Sequence, residues 1–159
     1  MSRLAVVVPL VLGLLSNAAF AQGAAKECFA KPEQQAEQII REGIRLREGA
    51  SGCDQPPFFM ETWPLWQQID RQFGARFAQQ TAVRQRALKR EFPDDPDNDE
   101  TAWNGRVVMY FRHYPLSTVY CQAIKQQLQS VQKKGWAAIA KLAKAGTDEV
   151  EMDYRPCTR

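Results

Sequence analysis

The chain is predicted to fold as an all-α protein: about four antiparallel helices in a disulfide-stapled bundle, with an extended C-terminal tail. Three observations carry this expectation. Four long segments repeat apolar residues at helical spacing. Pro, Gly and acidic residues punctuate the chain where those segments begin and end. Cys28, Cys53, Cys121 and Cys157 are dispersed, with no CxxC pair among them.

The first helix is expected to open at Pro32, a favourable first-turn residue, and to stop at Gly49. Its apolar positions are Ala36, Ile39, Ile40 and Ile44. The second is expected to open on Thr62 as N-cap and Pro64 in the first turn. Leu65, Trp66, Ile69, Phe73, Phe77 and Leu88 form its stripe, Gly74 is a place to bend, and Pro93 ends it. The third spans about Asn98 to Tyr114, with Trp103, Val107, Tyr110, Phe111 and Tyr114 on one face. Within it "VVMYF" also has strand propensity, but the spacing and the acidic start favour helix. Ser117 caps the fourth, which is expected to continue to Ala145 and stop at Gly146. Its face is Tyr120, Ile124, Leu128, Val131, Ala138, Ile139 and Leu142. No strand pairing is expected. In the tail, Val150, Met152 and Tyr154 alternate with acidic residues and should lie extended over the helices.

Residues 1–21 read as a cleaved signal peptide: Arg3 precedes a short apolar run, and Ala19-Phe20-Ala21 is a cleavage signal. Residues 22–159 then form a single helical domain, and the mature chain is expected to have no membrane span. A periplasmic or secreted location follows, and with it the expectation that the even number of cysteines forms two disulfides. Geometry selects the partners. A first helix of about 18 residues is roughly 27 Å long. Cys28 and Cys53 lie beyond its two ends, whereas a disulfide holds its Cα atoms about 6 Å apart. Antiparallel packing instead brings Cys53 to Cys121 and Cys28 to Cys157.

The 21 Lys and Arg against 18 Asp and Glu give a formal charge of +3, without the one-signed field of a nucleic-acid binder. The basic cluster Arg84, Arg86, Lys89 and Arg90 has no interleaved aromatics, so no nucleic-acid partner is expected. A single histidine, His113, excludes HExxH and multi-His metal sites. Ser51, Ser117 and Ser130 find no catalytic set around that histidine, which suits a helix C-terminus. No cofactor motif is present, and no cofactor is expected.

Three functional readings remain. The first is a non-enzymatic exported protein that binds a protein partner or a small apolar ligand. Its binding surface is the aromatic segment "PPFFMETWPLW", with Phe58, Phe59, Trp63 and Trp66. The second is a cell-envelope hydrolase using the carboxylates Glu61 and Asp70, which neighbour those aromatic side chains in sequence. The third is calcium-type metal binding by Asp95, Asp97 and Asp99, within the 94–100 acidic loop. No register of that loop supplies EF-hand ligands: counted from Asp95, the glycine position holds Glu100 and the closing glutamate position holds Arg106. Asp97 with Glu100, or Asp95 with Pro96, instead suit the start of a helix.

Overall fold

The computed structural model describes residues 28–146, 150, 152 and 154–157, and for Pro96 the backbone only. The expected signal peptide lies outside these residues. Five α-helices are present: α1 (Lys31–Cys53), α2 (Thr62–Glu91), α3 (Glu100–Arg112), α4 (Thr118–Lys134) and α5 (Trp136–Ala145). A 3-10 turn at Pro96–Asn98 links α2 to α3. Strand pairing was not expected, yet two short strands, β1 (Cys28–Phe29) and β2 (Arg155–Pro156), pair in parallel. Cys28 faces Arg155 in that register, which carries Cys157 to its disulfide partner.

α1 runs past Gly49 to Cys53, rather than stopping there. Gly49 is a site of close packing, not a cap: a Cβ added to it would lie 2.8 Å from Ile124 Cδ1 and 3.1 Å from the Tyr120 hydroxyl. α2 is continuous through Gly74. Its N-cap is Glu61, in the left-handed conformation, and not Thr62. The Thr62 hydroxyl is buried and donates to the Ala50 carbonyl at 2.7 Å. The expected fourth helix is two helices, because Gly135 adopts φ 71° and ψ −155° between α4 and α5. Only glycine takes that backbone readily. The break redirects Trp136 onto Phe73 and Phe77, with ring centroids 5.8 and 5.1 Å apart.

α1 packs against the four other helices. Leu46, Trp66, Ile69, Phe73, Ile124, Leu128, Val131 and Ile139 form the largest apolar cluster. A second joins Phe29, Ala87, Leu88 and Trp103, with Phe92, Met152 and Tyr154 packed on it. Tyr154 stacks on Phe29 at 4.3 Å, so the tail covers this end of the helices. Disulfides join Cys28, just before α1, to Cys157, and Cys53, the last residue of α1, to Cys121. Among the described residues, no helix is long and apolar enough to cross a membrane.

Candidate functional site

The aromatic segment divides by burial. Trp66 is buried in the main cluster, while Trp63 and Phe58 are half-buried. Phe59 is 65% exposed and holds φ 47° in the corner between α1 and α2. That corner is tightly tied. Met60 N–H donates to the Cys53 carbonyl at 3.0 Å, and Thr62 N–H to Asp54 Oδ1 at 3.0 Å. The segment is therefore neither wholly core nor wholly exposed patch.

Trp63 and Trp66 form one wall of a groove of about 380 Å3. Three helix faces build it. α2 contributes Trp63, Trp66, Asp70, Phe77 and Thr81, spaced three, four, seven and four residues apart. That spacing keeps them on one side of a helix. α1 contributes Ile40, Gly43, Ile44 and Arg47, again at i, i+3, i+4 and i+7, and α3 contributes Asn104 and Val108. Gly43 lets Phe77 lie against α1, since an added Cβ would meet its ring at 2.7 Å. Trp66 and Phe77 are tilted at 46°, with centroids 6.1 Å apart.

The polar groups of the groove differ in how they are held. Asn104 is fixed by buried chemistry: its side-chain amide donates to Glu100 Oε1 at 3.0 Å and its carbonyl accepts from Arg84. Arg84 is anchored in turn by the fully buried Glu37, with which it pairs at 2.8 Å. Arg47 is occupied by Glu48, through Nε and Nη2 at 2.9 and 2.7 Å. Asp70 is exposed and has no hydrogen bond or ion pair among the described residues. The groove thus combines rigid apolar walls with one uncommitted carboxylate.

The two carboxylates of the hydrolase reading do not share this space. Glu61 is 87% exposed at the α1–α2 corner, with Lys125 Nζ 4.0 Å away, and is not part of the groove wall. A single groove-lining carboxylate does not supply the acid and base or nucleophile that glycoside hydrolysis requires.

The acidic loop is organised as two caps. Asp95 accepts from the Asp97 N–H at 2.9 Å and from the Asn98 side chain at 2.8 Å. Asp99, rather than the Asp97–Glu100 pair, caps α3, accepting from the Ala102 N–H at 2.7 Å. Glu100 is turned inward to Arg84. Asp95, Asp99 and Glu100 thus each accept from backbone or side-chain donors. Among the described residues no group of three or more His, Cys, Asp or Glu is placed to hold a metal ion. Asp95 and Asp99 instead act as caps, of the 3-10 turn and of α3, while Asp97 contributes its backbone N–H to Asp95.

A second concave face carries Glu42, Arg45, Tyr110, Tyr114, Tyr120 and Gln127. Its charges are matched internally, since Arg45 donates to both Glu42 and Gln127 at 2.6 Å. His113 lies at the exposed end of α3, its Nδ1 2.9 Å from the Met109 carbonyl.

From the sequence, Trp63 and Trp66 belong to the expected binding surface and Phe77 to the apolar stripe of α2, while Ile40, Gly43, Arg47 and Asn104 have no expected functional role. Their signal was present as two helical stripes; what joins them is the pairing of α1 with α2 and α3. No protein-family model, curated protein or solved structure matches this chain.

Proposed function

We propose that the chain is an exported, non-enzymatic binding protein whose ligand or partner sits in the groove between α1, α2 and α3. One observation carries the reading: Trp63, Trp66 and Phe77 line an open groove floored by Ile40, Gly43 and Ile44. Small-molecule sites are typically concave and mostly apolar, with a few placed polar groups, and begin at about 300 Å3. The two disulfides and the absence of a membrane-crossing helix among the described residues support a periplasmic or secreted setting.

The test is titration with N-phenyl-1-naphthylamine, a neutral apolar probe that brightens on leaving water. Saturable binding, with quenching of tryptophan emission, is expected for the native protein. Trp63→Ala should weaken it by about fivefold or more, because a half-buried aromatic contact surface is removed. Equal binding by both proteins, or no saturable binding by either, overturns the reading.

A further inference from the structure

We propose that the groove selects a small organic cation, an aliphatic chain ending in an ammonium group, with Asp70 as its counter-charge. This rests on the groove being a binding site and names its ligand class. Asp70 interrupts an otherwise aromatic stripe on α2, four residues after Trp66 and seven before Phe77. It lines the groove together with those two rings and Trp63. The Asp70 carboxylate is exposed and makes no hydrogen bond or ion pair among the described residues. Aromatic faces carry negative potential, so rings and carboxylate attract the same kind of ligand. An alkyl chain would lie along Ile40, Ile44 and Val108 while its head group meets Asp70 and the ring faces.

The groove's other charge, Arg47, does not reverse this preference, because its guanidinium is engaged by Glu48. Glu48 also accepts from Arg112 at 3.1 Å, so the basic side of the rim is partly neutralised where it stands. The chain uses the same chemistry within its own fold. The Arg76 guanidinium lies 5.7 Å from the Trp136 ring, and that of Arg106 lies 5.1 Å from Trp103. The volume of about 380 Å3 suits a small ligand rather than a flat macromolecular face.

The experiment displaces bound N-phenyl-1-naphthylamine with three probes of equal chain length: hexylamine, hexanol and hexanoate. Hexylammonium is expected to displace at about five- to tenfold lower concentration than hexanol, with hexanoate weakest. Asp70→Asn should bring the amine-to-alcohol ratio to about one, and Asp70→Glu should restore most of it. The ratio is read within each variant, so a change in affinity for the fluorescent probe cancels. A native ratio near one, an unchanged ratio in Asp70→Asn, or hexanoate as the tightest ligand overturns the cation assignment while leaving the groove a binding site. Failure of the fluorescent probe to bind removes the groove reading itself. Nα-acetyl-lysine methylamide offers the same head group on a peptide backbone. Weaker displacement than by hexylamine supports a free amine; tighter displacement overturns the small ligand in favour of a partner's lysine.

Discussion

Arg84 Nη1 donates to Glu37 Oε2 across 2.8 Å, and neither side chain reaches solvent. Glu37 also accepts from Trp103 Nε1 at 2.9 Å and Arg41 Nε at 2.7 Å. Arg84 further binds Glu100 and Asn104. This network ties α1, α2 and α3 together beside the groove. Arg84→Met should destabilise the fold by about 3–5 kcal/mol, because it leaves Glu100 without its cation and the buried Glu37 with Arg41 alone. The double variant Arg84→Met/Glu37→Gln should cost less than the sum of the two single changes. Urea denaturation reads both; a single-variant loss below about 1 kcal/mol would show that the pair is not acting as a buried charge.

Tyr120 behaves in the opposite sense. Its hydroxyl is shut off from solvent beside Gly49 and makes no formed hydrogen bond. Burial pushes its pKa above the ordinary tyrosine value, and the charge of nearby Arg45 offsets only part of that. A folded value above the unfolded one, about 10, means that the stability contribution is whole below that pH. It is lost as pH rises through the folded value. Tyr120→Phe should be neutral or stabilising by up to about 1 kcal/mol at pH 7, since it removes an unsatisfied buried group. It should also lose less stability than the native protein above about pH 10. Parallel melting curves at pH 7 and in the alkaline range decide this; equal alkaline losses would contradict it.

Phe59 and Glu61 hold φ 47° and 53°, in the region that disfavours side chains with a Cβ. Phe59 has little packing to lose at 65% exposure. Phe59→Gly should therefore stabilise the fold by about 0.5–1 kcal/mol, the relieved strain exceeding the added freedom of the unfolded chain. Denaturation midpoints compare the two, and destabilisation would mean that the Phe59 ring is held more firmly than its exposure implies.

The disulfides close long loops, with sequence separations of 129 for Cys28–Cys157 and 68 for Cys53–Cys121. The chain-entropy relation gives about 4–5 kcal/mol for each. Cys53→Ser/Cys121→Ser should be the more damaging pair, because both sulfurs lie in fully buried residues whereas Cys157 is exposed. Guanidinium unfolding of each double variant under non-reducing conditions tests the order. A larger loss for the Cys28–Cys157 pair would reverse it.

The amino-acid sequence by itself determined the helical class, the Ser117 cap, the aromatic stripe of α2 and the non-local cysteine pairing. These depend on local periodicity, on hydrogen bonding within one turn and on the length of a helix, all of which short-range chemistry sets. Lys133 and Lys134 followed by Gly135 also mark the end of α4 in the sequence. The tertiary structure alone decided the rest. Arg84 reads as one member of an exposed basic cluster until α1 and α3 supply Glu37 and Glu100 from 47 and 16 residues away. Gly49 reads as a stop until Ile124 and Tyr120 occupy the space that a side chain would need. Gly43 admits Phe77 against α1, and the groove joins two stripes that are separate in the chain. Periodicity fixes which face of a helix is apolar, but which residues are left uncovered depends on the neighbours that pack against it, and those come from distant parts of the chain.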